Sequence, residues 1–450
     1  MLVFGRPVGV AQQFPLLTAG SFSQSPVQGF GDRQNSWPWA SEWFNGNLYV
    51  GTFRSAGCVY AAGTPGYPPT DPDLSCPADP NMLQLQAEIW SWAPGTKTWT
   101  RVFQSPQDLL IPGTTNLYVA RDIGFRGMSV FTEPDGTQAL YVSSCSSKTF
   151  HAGLPGGRLL RTVDGVNFTA VAQDPGTLLG NLGNACFRGG ATYNGKFYIV
   201  TCGSLGNTGV LLEAANPKLG DNNFRIVSPS GVPVSEVATY NGFLYVTTSN
   251  SSGFSLIKTT ATGSLPYTYT NVMVNAGYSS QTVPNIRALA LQQFNGDLYV
   301  GGESTTYLDG AELYRVHADD TWDLVVGQAR PNTPVGAKNP LSGMGAGFNW
   351  QFNTSLERLE VYNGNLYVGT FDSSYAFRFY NNPAFQKIAR PLMGFDLWAT
   401  SDGIHFTPVT FNGFGNILNQ GVRTLKTTPN GLFLGVANWF YGLEVWQGIQ

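Results

Sequence analysis

Apolar and polar positions alternate over short stretches, and the stretches come in pairs hinged on Asn-Gly. FNGNLYVGTF starts at Phe44, YNGKFYIVTC at Tyr193, YNGFLYVTTS at Tyr240, FNGDLYVGGE at Phe294 and YNGNLYVGTF at Tyr362. Asn-Gly between alternating apolar runs signals a β-hairpin, because both central residues of a type I′ turn need positive φ. Related turns centre on Asp135 (PDGTQALYV) and Asn430 (PNGLFLGVA). The centres lie 47 to 90 residues apart, which suits a repeat with loop insertions of different sizes.

A second hairpin follows most of the first ones. Residues 87–103, 157–172, 311–326 and 395–410 each read strand, polar turn, strand, with an aromatic on the return. Two hairpins per unit make a four-stranded antiparallel blade, and a ring of such blades is a β-propeller. The pattern predicts an all-β, seven-bladed propeller filling 1–450 as one domain. Its blades fall at about 36–110, 120–175, 185–230, 233–275, 285–330, 355–410 and 420–450. The last unit ends after its third strand, YGLEVWQGIQ, and QQFPLLTAG resembles an orphan fourth one. A strand over 11–20 is therefore expected to complete the last blade and cover the edge of the ring.

Composition agrees with short strands and tight turns. Only 12% of residues are charged, while Gly (54) and the aromatic residues (13%) are plentiful. A net charge of −3 gives no reason to expect a nucleic-acid partner, and no apolar run is long enough for a transmembrane segment. The start lacks the pattern of a signal peptide. Low charge and a cysteine pair within one long loop favour a secreted or periplasmic protein, read as a mature form without its export signal. Cys58 and Cys76, in the loop over 54–86, are the expected disulfide. Among Cys145, Cys186 and Cys202 two are expected to pair, with Cys186 and Cys202 nearly opposite across the Asn194 hairpin; a Cys₃His zinc site with His151 is the alternative.

The candidate chemistry lies where the innermost strands begin. Arg126, Arg188, Arg287, Arg358 and Arg423 fall at or near the mouth of the axial channel in five units, and Glu236 takes that place in a sixth. Converging guanidinium groups suit an anion, since Arg offers planar bidentate hydrogen bonds to carboxylate, sulfate or phosphate. Trp37, Trp350 and Asn35 are expected beside them, with Glu236 or Asp32 as acid or base if there is chemistry. The competing reading makes each Arg a brace that pairs with a carboxylate such as Glu357 or Asp122. The segments GFGDRQN, GFNWQFN and GFGNILN, starting at Gly29, Gly347 and Gly413, share Gly-Phe followed by Asn. No P-loop, zinc-protease or EF-hand motif occurs, so no cofactor is called for, and a structural calcium stays open.

TVDGVNF and TSDGIHF resemble the Asp-box of sialidases, a turn-stabilising element. Sialidases hold a carboxylate with three arginines on a propeller, but the blade count differs and their Phe-Arg-Ile-Pro signature is not found. Over the whole chain GFGDRQNS, ARDIGFRGMSVF, GFDLWATSDGIHFTPVT and GLFLGVANWFYGLEVW are similar to a family of bacterial propeller proteins. A more distant resemblance is to the propeller half of cyanobacterial enzymes that alkylate resorcinols with alkyl chlorides. Those enzymes also have a calcium-binding nonapeptide-repeat domain, which this sequence lacks, so their chemistry does not transfer. The resulting expectation is an Arg-lined pocket for an anionic or phenolic small ligand, with cofactor-independent transfer chemistry left open. The alternatives are an interaction or assembly propeller with a protein or glycan partner, and a sialidase-like glycosidase.

Overall fold

The computed structural model describes residues 14–203, 209–279, 284–304, 306 and 309–450. Its strands form consecutive antiparallel meanders, named here by the turn after each first strand. The Asn45 run comprises Asn35–Phe44, Asn47–Arg54, Glu88–Ala93 and Thr98–Gln104. The Asp135 run comprises Asp122–Thr132, Gln138–Ser146, Leu159–Thr162 and Thr169–Ala170. Next come the Asn194 run (Cys186–Tyr193, Lys196–Cys202, Leu211–Ala214, Phe224–Ile226) and the Asn241 run (Val234–Tyr240, Phe243–Thr248, Ser255–Thr259, Thr270–Met273). The Asn295 run follows with Arg287–Phe294, Asp297–Glu303, Leu313–Val316 and Trp322–Val326. The Asn363 run has Asn353–Tyr362, Asn365–Asp372, Leu397–Thr400 and Thr407–Thr410. The Asn430 run has Gly421–Thr428, Gly431–Ala437 and Glu444–Gly448, and its fourth strand is Phe22–Gln24 from the other end of the chain.

The hairpin chemistry is local. Asn45, Asn194, Asn241, Asn295 and Asn363 all sit at φ between 46° and 49°, each followed by a glycine at positive φ. The turns at Asp135 and Asn430 differ, and only Gly136 and Gly431 go positive there. Each of these turns begins with a proline, Pro134 or Pro429, whose fixed φ near −65° suits an ordinary type I turn.

Second strands read Leu-Tyr-Val or nearly so, and they are apolar on both faces because neighbouring runs cover both. Tyr49, Tyr141, Tyr198, Tyr245, Tyr299 and Tyr367 are all buried to 2% exposure or less. The glycine after this triplet marks close approach. A Cβ on Gly51 would sit 2.6 Å from Phe125, and one on Gly369 would sit 2.5 Å from Val422, both on the next run. First strands lie side by side in chain order, and Gly421–Thr428 lies beside Asn35–Phe44.

The Gly-Phe segments fasten successive runs together. Gly29–Phe30, Gly347–Phe348 and Gly413–Phe414 adopt left-handed backbone, with φ of 55° to 63°. Each phenylalanine packs against a tryptophan of the run that follows: Phe30 on Trp90 at 4.5 Å, Phe348 on Trp398 at 4.7 Å and Phe414 on Trp446 at 4.6 Å. The asparagine six residues after the glycine donates to that glycine's carbonyl and to a buried carboxylate. These pairs are Asn35 with Glu88, Asn353 with Asp396 and Asn419 with Glu444, at 2.7 to 2.9 Å. Each glycine N–H in turn donates to the preceding run, at Leu443, Ala311 or Phe395. These bonds are the physical reason for the shared motif.

Two expectations are corrected. The strand expected over 11–20 is displaced, since residues 14–18 form no strand and the pairing with Glu444–Gly448 is made by Phe22–Gln24. Pro15 has no N–H to give a ladder, and Leu17 is instead buried with its N–H donated to the Tyr367 hydroxyl. Residues 11–13 lie outside the described residues. The cysteine pairing also differs. Cys58–Cys76 is bonded, but the second disulfide is Cys145–Cys186, joining two runs, and Cys202 is buried and free. Cys186 faces Cys145 on one side and Cys202 on the other, so the Asn194 hairpin by itself did not decide the pair. The disulfide also removes the Cys₃His alternative.

Candidate functional site: a charged axial cavity

All the first strands share a register slip at a corresponding place, and the Asn45, Asp135 and Asn363 runs have a second slip before it. The shared slips fall between Pro38 and Ala40, Phe125 and Gly127, Phe187 and Gly190, and Val234 and Glu236. The others lie between Ala288 and Ala290, Ser355 and Arg358, and Val422 and Thr424. A β-bulge places an extra residue against its partner strand and re-aims its side chain. Trp39, Arg126, Arg188, Glu357 and Arg423 lie within these slips, while Glu236 and Arg358 close two of them. The bulge explains why the arginines do not share one register in the sequence and still converge.

Every first strand contributes to the wall of one cavity of about 200 Å³. Arg126, Arg188, Arg358, Glu236 and Glu357 line its charged part. Met128, Val237, Leu291, Leu359 and Leu425 line the rest, farther along the strands towards the Asn-Gly turns. Side chains become exposed in that direction, as at Thr192, Thr239 and Gln293. On the other side of the charged layer lies an aromatic layer. Trp37 contacts Trp39, Phe53, Tyr60 and Trp439, and Tyr60 stacks on Trp439 at 5.4 Å.

The arginines divide into two kinds. Arg423 is bound to both oxygens of Glu357 and lies 3.7 Å over the Trp37 ring. Arg287 pairs with Glu303 at 2.6 Å, and Arg188 makes a looser contact with Glu236 at 3.5 Å. Arg126 and Arg358 have no carboxylate within ion-pair distance among the described residues. Arg126 donates to the Cys202 sulfur at 3.4 Å and lies 5.0 Å from the Trp39 ring centre. Arg358 donates to the carbonyls of Arg423 and Glu357 and weakly to that of Leu289.

Electrostatics follow from that division. Burial, with Arg188 nearby, pushes Arg126 down to about 10, against the pull of Cys202 and Tyr60. Burial also lowers Arg358, although Glu357 and Glu236 oppose it. Glu303 is raised by burial despite Arg287. The Tyr60 phenol is raised by burial against Arg423 and Arg126, so its hydroxyl lies near the charged layer even though the residue is 40% exposed. Among the described residues five guanidinium groups meet three carboxylates here, leaving two positive charges in excess. Nearer the turns Glu42 pairs with Lys426, and Glu360 accepts the Thr427 N–H, so neither faces the surplus.

The other expected site residues lie elsewhere. Asn35 is fully buried in the Gly-Phe fastening described above. Asp32 pairs with Arg54 at 2.7 Å, and Trp350 donates to Asp372 at 2.7 Å. Neither Asp32 nor Trp350 lines the cavity. Trp37 lies in the aromatic layer beneath Arg423. Asp122 takes both hydrogen bonds of Arg158 within its own run. The sequence reading missed Glu303 and Tyr60, and it considered Cys202 for a disulfide or a zinc site, not as a neighbour of Arg126. Glu303 had a signal, since it stands where the same hairpin has Phe53 and Phe371. Tyr60 had none, because it reaches the axis from a loop helix, Ala56–Ala62.

The two Asp-box-like turns have the expected stabilising geometry. Asp164 accepts the N–H groups of Val166 and Asn167, and Asp402 those of Ile404 and His405. Among the described residues no group of three His, Cys, Asp or Glu is placed to hold a metal ion, and no helix is long and apolar enough to cross a membrane.

No protein-family model and no curated protein matches the sequence. Among solved structures the chain is similar to an ancestral GH74 enzyme, with a TM-score of 0.53 and 10% identity over 94% of this chain and 49% of that one. It thus spans about half the length of that enzyme. It is also similar to a polysaccharide lyase (TM-score 0.48, 9% identity, 93% and 90% of the two chains). A third likeness is to the β-propeller domain of a Trilobed protease from Pyrococcus furiosus (TM-score 0.43, 6% identity, 92% and 96%). At these identities the likeness concerns the fold alone; the meanders, with their first strands side by side, make the chain an all-β protein of propeller-like architecture.

Proposed function

We propose that the protein is a seven-bladed propeller whose axial cavity binds a small anionic or phenolic ligand. The observation that carries this reading is the surplus of guanidinium groups, with Arg126 and Arg358 lacking a carboxylate partner among the described residues. Like charges held together in a partly buried site repel one another, and a bound anion relieves that cost. The side-by-side first strands support the blade count, and the pairing of Phe22–Gln24 with the last run supports closure of the ring. A phenolate suits the same donors, in keeping with the distant resemblance to resorcinol-alkylating enzymes. If the site carries out chemistry, Glu236 is its acid or base, being the carboxylate on the cavity wall held only by the Val237 N–H at 3.2 Å and the loose contact to Arg188. Two disulfides fit an oxidising compartment, and we read the protein as secreted or periplasmic.

The test is thermal unfolding with a panel of small anions at constant ionic strength. A binder at one hundred times its Kd adds about 2.7 kcal/mol of stability. The wild type should gain several degrees with at least one anion, and the Arg126→Gln/Arg358→Gln double variant should gain nothing. Equal responses of both proteins, or none from either, would count against an axial anion site.

A further inference from the structure

Resting on that reading, we infer that the axial ligand is a small carboxylate bearing one ring-sized apolar group. Its carboxylate sits at Arg126 and Arg358, and its apolar group points towards the Asn-Gly turns.

Three observations lead there. The first is where donors remain. The buried Nε atoms of Arg188 and Arg423 have no acceptor among the described residues, and there Arg126 donates only through Nη1 and Arg358 only through Nε and Nη1; the Arg188 side chain is only 7% exposed. These donors belong to guanidinium groups on one layer of the cavity. Buried donors without acceptors are costly, each by about 1–3 kcal/mol, so an occupant supplying several oxygens at this layer is favoured.

The second observation is the asymmetry of the wall. Beyond the charged layer the wall is formed mainly by Met128, Val237, Leu291, Leu359 and Leu425, none of which offers a hydrogen bond, with the Ser41 hydroxyl at the same level on the first run. Sulfate or phosphate has oxygens on all sides and would press some of them against this apolar half, where they would lose water and gain no donor. A carboxylate concentrates its charge at one end and leaves the other free for apolar contact. The carboxylates already present do not oppose it, since Glu357 is neutralised by Arg423 and Glu236 faces Arg188.

The third is size. A cavity of 150 Å³ takes up benzene, so about 200 Å³ admits one ring with a carboxylate attached. It does not admit a chain of sugars. A carboxylate without an apolar group would leave the Leu and Met wall in contact with water, forfeiting about 25 cal/mol for each Å² left uncovered.

Isothermal titration calorimetry with benzoate, acetate, sulfate and phenol tests this on the full chain. Benzoate should bind at least tenfold more tightly than acetate or sulfate, and more tightly than phenol. Arg126→Gln and Arg358→Gln should each weaken benzoate about tenfold or more, the loss of one charge-assisted bond. Leu291→Phe, which narrows the apolar half, should weaken benzoate and leave acetate unchanged. Unliganded melting curves identify any variant that fails to fold, and the ranking of ligands on the wild type stands without the variants. Sulfate or acetate binding as well as benzoate would overturn the carboxylate-plus-ring assignment and leave the anion site intact. Phenol binding more tightly than benzoate would overturn the carboxylate. Binding of none of the four would overturn both readings.

Discussion

The Asn45 and Asn363 runs begin with almost the same hairpin, FNGNLYVGTFRS and YNGNLYVGTFDS, and bury it in different electrostatic settings. In the first, Arg54 ends the second strand and pairs with Asp32 and Asn35. In the other, Asp372 takes that place, Trp350 stands where Asp32 stood, and the carboxyl is held by Trp350 and Ser374. Burial pushes Asp372 up to about 7. The fastening below follows the same contrast. Glu88 has Arg101 at 2.7 Å, whereas Asp396 has no cation among the described residues and is raised by burial. The first strands differ too, with Trp39 at the bulge of one and Glu357 beside Arg358 in the other. One backbone thus tolerates opposite chemistries at its ends and at its bulge, because turn, apolar triplet and Gly-Phe fastening hold the hairpin without them.

The largest expected effect comes from breaking the fastenings. Asn353→Ala strands the Gly347 carbonyl and leaves Asp396 only the longer bond from Trp398 at 3.3 Å, and should cost about 3 kcal/mol in urea unfolding. Asn35→Ala should cost less, about 2 kcal/mol, since Glu88 keeps Arg101. Equal costs would mean that the neighbouring cation does not matter.

The next contrast lies at the strand ends. Arg54→Met should cost about 1–2 kcal/mol, because the buried Asn35 oxygen loses a donor while Asp32, about half-exposed, turns to water. Asp372 works the other way. Its folded pKa lies above its unfolded value near 4, so the folded state keeps the proton that the unfolded state releases. The stability it contributes is complete below about pH 4 and is lost as the pH rises through about 7. Asp372→Asn should therefore be nearly neutral at pH 4 and stabilising, by about 1 kcal/mol or more, at pH 8. Parallel pH profiles for the variant and wild type would contradict the buried, cation-free setting.

The smallest effect belongs to the Asn295 run. Burial lowers His317, but Asp297 and Asp323, each at 2.9 Å, overcome it and raise its pKa. The stability from this cluster is present below the unfolded value near 6.5 and is lost as the pH rises through the higher folded value. His317→Gln should remove less than about 1 kcal/mol, and only on the acid side.

These contrasts also mark how far the sequence could be read. Asn-Gly hairpins were legible because positive φ is a local demand on two residues. The arginines at the axis were legible as a set, although not as pairs, since pairing Arg423 with Glu357 depends on how adjacent runs pack. Asn35 was misplaced because a fastening asparagine and a ligand-binding one leave the same trace beside Gly-Phe. Cys145–Cys186 and Tyr60 were beyond reach for a related reason: each contact joins segments whose relative register no local pattern fixes. Phe22–Gln24 lay a few residues past the expected strand, beyond a proline and two leucines that pack instead of pairing.

The most direct measurement is a crystal structure of the protein soaked with 4-bromobenzoate, read from the anomalous signal of bromine. A bromine peak is expected among Met128, Leu291 and Leu359, with the carboxylate at Arg126 and Arg358. A cavity holding only water, with both arginines turned to partners on neighbouring runs, would contradict it.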